Sequence, residues 1–267
     1  MAKALKRIYL IRHGNSEGNA DFTTYQHTPD HAINLTDEGY QQAVNAGKIF
    51  SAYYKKLIHQ HPEVAEQSFR LWYSPYKRTR QTKQGFLEGL GENKNIIHSE
   101  RENIVLAEQS FGLFDGLTEE EKAQKHPEMY KKFKMCEEHQ GKFWAKPPFG
   151  ESRYDVCLRV PQMFGTIIRD AEKEENPIEN IIIVSHGTTL RAFTMQFLHK
   201  EFEWFEKEPN PNNCSIRMIG ENANGKYEDK GYIFNGYKDQ EAVKKEQLKE
   251  QSKQSYLPMK IPGRDYD

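Results

Sequence analysis

Two histidines stand in the same local setting, far apart in the chain. His13 lies in Arg12-His13-Gly14 at the end of the apolar run Ile8-Tyr9-Leu10-Ile11. His186 precedes Gly187 after Ile181-Ile182-Ile183-Val184-Ser185. A β-branched apolar run that ends in His-Gly reads as a buried strand stopping at a tight turn. Open α/β sheets bind their ligands at such strand ends. Arg78, in the opening turn of a helix expected after Leu71–Ser74, reaches the same place. Two arginines, two imidazoles and the amides of helices beginning near Asn15, Pro75 and Thr188 make a small, positive pocket suited to a tetrahedral phosphoryl group. A neutral imidazole nitrogen is a competent nucleophile toward phosphorus, and the guanidinium groups stabilise the transferred charge. The leaving oxygen needs a proton. Glu108, in Leu106-Ala107-Glu108-Gln109-Ser110-Phe111-Gly112, is the candidate acid, placed beside apolar neighbours that would keep it protonated near neutral pH.

The elements that must position these groups alternate. Strands are expected at Arg7–Ile11, Leu71–Ser74, Ile181–Ser185, Ser215–Ile219 and Tyr232–Phe234, with stretches of helical period between them. Thr36 is a predicted N-cap, followed by Asp37 and Glu38. Ser74-Pro75 is a second predicted helix start. Further helices are expected over Ser152–Ala171 and Thr189–Lys200. This pattern predicts an α/β fold: a three-layer sandwich whose central sheet is mostly parallel, with helices on both faces. The lysine-rich stretch Glu119–Phe149, with its aromatics, reads as a small helical cap inserted at about residues 113–149. Residues 1–237 then form one domain, and 238–267 a polar C-terminal tail.

Composition sets limits. The 267 residues carry 38 basic and 39 acidic side chains, a net charge of −1. Nucleic-acid or membrane-surface binding needs a basic excess, so neither partner is expected. No run approaches the roughly 20 apolar residues that cross a bilayer. Cys136, Cys157 and Cys214 have no metal or redox spacing, which points to a reducing, cytoplasmic setting. His59 and His61 form an H-x-H pair without a third ligand and read as surface residues. No metal or organic cofactor is called for, because arginines supply the charge that Mg²⁺ supplies elsewhere.

The chain resembles the histidine phosphatase superfamily, in its phosphoglycerate mutase-like branch. Arg12-His13-Gly14 with Ser16 and Asn19 matches the opening R-H-G-x-[ST]-x-x-N. Ser74, Arg78 and Thr82 match S-x-x-x-R-x-x-x-T. Glu108 with Phe111-Gly112 and Gly116 matches the acid segment, and Ser185-His186-Gly187 the closing S-H-G. Gly150-Glu151-Ser152 with Asp155 and Arg159 matches G-E-S-x-x-D-x-x-x-R. Thr28-Pro29-Asp30-His31, Leu35-Thr36 and Asn210-Pro211 resemble a plant and bacterial mutase-like subgroup. The resemblance implies that His13 is phosphorylated and that Arg12, Arg78 and His186 hold the phosphoryl group. It implies that Glu108 is the proton donor and then the base for water. Asn19 would add a phosphate contact, with Ser16, Gly187 and Thr188 as further substrate-binding candidates.

Gln109, Glu119 and Thr188 depart from the mutase pattern, which has arginine, lysine and asparagine there. Losing two rim cations favours hydrolysis of a small phosphomonoester over phosphoglycerate mutation. A mutase and a non-catalytic phosphate-binding scaffold are the alternatives. No pattern speaks to the oligomeric state or to the identity of the substrate.

Overall fold

The computed structural model describes residues 5–238. Its strands are β1 (Arg7–Arg12), β2 (Phe69–Tyr73), β3 (Ile97–Glu102), β4 (Asn180–Ser185), β5 (Ile216–Glu221) and β6 (Tyr227–Phe234). They form one sheet in the order β3-β2-β4-β1-β5-β6. The first four neighbours pair in parallel, while β5 and β6 add an antiparallel edge.

The helices are α1 (Glu17–Ala20), α2 (Asp37–Gln60), α3 (Lys77–Leu90), α4 (Glu119–Lys125), α5 (Pro127–Gln140), α6 (Arg153–Arg159), α7 (Phe164–Ala171), α8 (Gly187–Phe197) and α9 (Phe202–Lys207). Parallel strands alternate side chains between two buried faces, so both faces must be apolar. Tyr9, Ile11, Ile182 and Val184 join Ala43 and Phe50 of α2 and Phe86 of α3 in one core. Ile8, Leu10, Ile181 and Ile183 join Val156, Ile167, Phe193 and Phe205, from α6 to α9, in the other. The three-layer α/β sandwich is therefore present, and α4 and α5 lie within the stretch expected to form the cap.

Several local expectations are corrected. Ser74 does not cap α3: that helix starts at Lys77 behind Tyr76, and the serine hydroxyl is used elsewhere. The single helix expected over Ser152–Ala171 is interrupted by a 3₁₀ turn at Val160–Met163. Pro161 has no N–H and cannot continue the ladder. The last predicted helix starts earlier, at Gly187, and ends at Phe197. Strand β3 was not expected. It reads IHSERE, an edge strand open to solvent along most of its length, so it lacks an apolar signature. The predicted tail beyond Lys238 lies outside the described residues.

One packing contact fixes the loop after β1. Asn15 donates its N–H to Gln42 Oε1 at 2.9 Å, and its carbonyl accepts from Thr36 N–H at 3.0 Å. The loop thus lies flat on the first turn of α2, whose N-cap is Thr36 as predicted. A β-carbon on Gly39 would fall 1.9 Å from the Asn15 carbonyl oxygen, and one on Gly14 2.3 Å from the Gly39 carbonyl oxygen. We expect Gly39→Ala to destabilise the fold by about 3 kcal/mol through overpacking against backbone. Urea denaturation of the two proteins measures this, and a change under about 0.5 kcal/mol would contradict the contact.

Candidate active site

Register brings the two histidines together. Arg12 at the end of β1 pairs with Ser185 at the end of β4. The next residue on each strand is therefore His13 or His186, and His13 N–H donates to the Ser185 carbonyl at 3.0 Å. Their rings sit with centroids 5.2 Å apart, and both are buried. His13 Nδ1 lies 2.7 Å from the Gly14 carbonyl oxygen, which can only accept. That contact puts the proton on Nδ1 and leaves Nε2 with a free lone pair. Burial first, then the Arg78 and Arg12 charges, holds the His13 pKa well below its ordinary value. Burial and Arg78 do the same for His186. Both imidazoles are neutral at pH 7.

The S-x-x-x-R-x-x-x-T element spreads over three contacts. Ser74 Oγ lies 2.8 Å from His186 Nε2. Thr82 Oγ1 accepts from Gly14 N–H at 3.0 Å, holding the turn after His13. Arg78 between them is 2% exposed. Its Nη1 donates to the Asp30 carbonyl at 2.6 Å and to Asp30 Oδ1 at 2.7 Å. Its buried Nε has no hydrogen-bond partner among the described residues. Arg12 Nη1 donates to the Pro211 carbonyl at 2.9 Å.

Glu108 approaches from a loop, at the N-terminus of α8. Its carboxyl oxygens accept from Gln109 N–H at 2.9 Å, from Thr189 Oγ1 at 3.3 Å and from Thr188 N–H at 3.4 Å. Arg159 clamps that loop by donating to the carbonyls of Val105, Ala107 and Glu108, while its Nε meets Glu151 Oε1 at 2.8 Å. Glu151 in turn accepts from Ser110 N–H. The Gly-Glu-Ser stretch is thus a brace for the acid loop. Ser152 and Asp155 form the capping box that starts α6.

Arg12, His13, Asn19, Arg78, Glu108 and Thr188 line one cavity of about 240 Å³. His186 packs against His13 without lining it. Two substrate-binding candidates also lie outside the lining. Ser16 is fully buried as the N-cap of α1, accepting from Asn19 N–H. Gly187 leaves room for the Asn210 side chain, which a β-carbon would meet at 2.9 Å. Phe22, Tyr25, Asp30, Phe111, Phe114, Asp115 and Asn210 complete walls that sequence reasoning did not assign. Asp30 and Asn210 sit in motifs singled out beforehand. Asp115 had no signal beyond the glycine that follows it.

Residues 8–230 match the family model of the histidine phosphatase superfamily, branch 1. The chain is 37% identical to a phosphoglycerate mutase-like protein of Arabidopsis thaliana, over 83% of this chain and 67% of that protein. It is 23% identical to a broad-range acid phosphatase of Saccharomyces cerevisiae, over 79% and 84%. The solved structure of a mycobacterial glucosyl-3-phosphoglycerate phosphatase superposes with a TM-score of 0.60 at 18% identity, over 87% of this chain and 99% of that one.

The two depressed histidine pKa values make stability depend on pH. The unfolded chain takes up protons on these side chains below about pH 6.5 and the folded chain does not, so stability falls on acidification through that value. Asp115, raised to about 6 mainly by burial and then by Asp30, acts with the opposite sign at lower pH. Comparison with His13→Asn cancels that background. Between about pH 7 and about pH 5.5 the wild type should lose about 1 kcal/mol more than the variant. Urea denaturation at both pH values reads the difference, and equal losses would contradict a neutral, buried His13.

Proposed function

We propose that this chain, which belongs to the histidine phosphatase superfamily, is a phosphomonoester hydrolase that works through a phosphohistidine on His13. The observation that carries the reading is the floor of the cavity. There a buried imidazole with its Nε2 lone pair unprotonated shares the cavity lining with two buried guanidinium groups. Nε2 attacks phosphorus, the P–O bond to the leaving group breaks, and Glu108 gives its proton to the departing oxygen. Arg12 and Arg78 stabilise the charge on the transferred oxygens, while His186, outside the lining, packs against His13 and supports its ring. Glu108, now a carboxylate, takes a proton from water, which attacks phosphorus and frees His13 and inorganic phosphate. The Asn19 carboxamide oxygen already accepts from Ser16 N–H and Oγ, so its NH₂ is the end suited to a phosphate oxygen.

Hydrolysis is favoured over mutation by what stands at two positions where the mutase pattern carries cations. Gln109 donates to the Glu151 carbonyl at 2.7 Å, and Glu119 is held by Lys122 and Tyr130. Neither position offers a cation to a substrate carboxylate. In this reading residues 1–237 work as one domain whose cap shapes the leaving-group side, in the cytoplasm and on small phosphorylated substrates.

The test is hydrolysis of p-nitrophenyl phosphate with a chelator present. His13→Ala should abolish turnover, and Glu108→Gln should slow it by ~10²–10⁴-fold, the usual contribution of a positioned acid. Mass spectrometry of acid-quenched wild type should find the phosphoryl group on His13. Wild-type turnover in His13→Ala, or a label on another side chain, would overturn the assignment.

A further inference from the structure

The cavity is electrically two-ended. Its floor carries Arg12, Arg78 and the buried His13. Its mouth carries Phe22 and Phe111, partly exposed, and the walls that lead to it hold Tyr25, Asp115 and the buried Phe114. A phosphoryl group seated on the floor directs its ester oxygen toward this mouth, so the mouth contacts the leaving group. The carboxylates differ in their commitments. Asp30 is locked onto Arg78, and Glu108 accepts from the Gln109 amide and from the Thr188 amide of α8. Asp115 has no side-chain partner among the described residues, and the Gly116 amide is its hydrogen-bond donor. Lys122, which also lines the mouth, is committed to Glu119 at 2.6 Å and lies over the Phe114 ring.

Gly116 fixes where Asp115 points. It has φ +67°, and a β-carbon there would fall 2.5 Å from Tyr25 Cβ. The turn therefore packs against the Tyr25 segment with no slack. Burial and the facing Asp30 raise the Asp115 pKa to about 6, so it is ionised above neutrality. Arg153 and Arg191 line an adjoining cavity rather than this one. Of the cations that share this cavity, Arg78 and Lys122 already hold the carboxylates of Asp30 and Glu119, and Arg12 donates to the Pro211 carbonyl.

Resting on the phosphomonoesterase reading, we propose that Asp115 selects the leaving group. Its carboxylate accepts hydrogen bonds from a hydroxyl or ammonium group near the ester and rejects a leaving group with a second anion there. Preferred substrates are then short phosphate esters of polyols or amino alcohols.

Glycerol 3-phosphate and 3-phosphoglycerate differ at one end, a hydroxymethyl against a carboxylate. At about pH 7.5 the wild type should favour glycerol 3-phosphate by about tenfold or more in kcat/KM, because like charges brought together cost at least the ~1.4 kcal/mol that a factor of ten represents. O-phosphoethanolamine should be at least as good as glycerol 3-phosphate. Asp115→Asn should shrink the ratio to within about threefold, and Asp115→Glu should retain it. Wild-type preference for 3-phosphoglycerate overturns the proposal without any variant, as does an unchanged ratio in Asp115→Asn. Hydrolysis of p-nitrophenyl phosphate by the wild type keeps the two readings apart. If that activity is present and the preference absent, the selection proposal fails alone; if it is absent, the phosphatase reading fails.

Discussion

Parallel pairing of β1 with β4 is the constraint from which the rest of the site follows. The register that sets Arg12 beside Ser185 delivers His13 and His186 to one point from opposite ends of the chain. It also sorts Ile8 and Leu10 to one core and Tyr9 and Ile11 to the other. A one-residue slip would turn each of these side chains to the wrong face while separating the histidines. The geometry of the floor is thus tied to the burial of the whole sheet. A second tie runs through Gly14 and Gly39, whose missing β-carbons let the loop after β1 touch the first turn of α2.

The electrostatics of the floor work against folding and suit the phosphoryl group of the proposed mechanism. Burying Arg12 and Arg78 beside two histidines would be severe if the imidazoles were protonated, so the site keeps them neutral. Arg78 is held by both the carbonyl and carboxylate of Asp30, through one nitrogen only. Its buried Nε keeps an unsatisfied donor that a phosphate oxygen would satisfy. In the proposed mechanism neutrality is also what the nucleophile requires, so the same burial that penalises protonation would keep Nε2 reactive.

Much of this was legible because it is local. Arg12-His13-Gly14 and His186-Gly187 each end an apolar run, and runs buried on both faces carry the strongest sequence signal in a parallel sheet. The Thr36 cap is equally local. Features made by distant segments were not legible in the same way. Ser74 looks like a helix cap from its neighbours, yet its hydroxyl meets His186, 112 residues away. Strand β3 is an exposed edge with charged side chains, so its pairing with β2 leaves no apolar trace. Asp30 and Asp115 converge on Arg78 from separate turns, and nothing in either turn announces the other.

The proposed acid and the proposed nucleophile are built on different supports, and in the proposed mechanism this division bears on how specificity arises. His13, Arg12 and Arg78 rest on strand ends and the start of α3, all pinned by the two cores. Glu108 rests on a loop that Arg159 and Glu151 brace, and the same loop leads through Phe111, Phe114 and Asp115 into α4. Changes along residues 111–122 would reshape the wall that meets a leaving group without disturbing the sheet register on which the floor depends. Glu108 sits at the hinge of the two regions, tied to α8 by the Thr188 amide and to the braced loop by its own backbone. In the proposed mechanism the proton it supplies crosses the boundary between a phosphate seat built on the sheet and a mouth built on the loop. That is where one carboxyl can serve leaving groups of different shapes, provided the wall beyond it sets their charge.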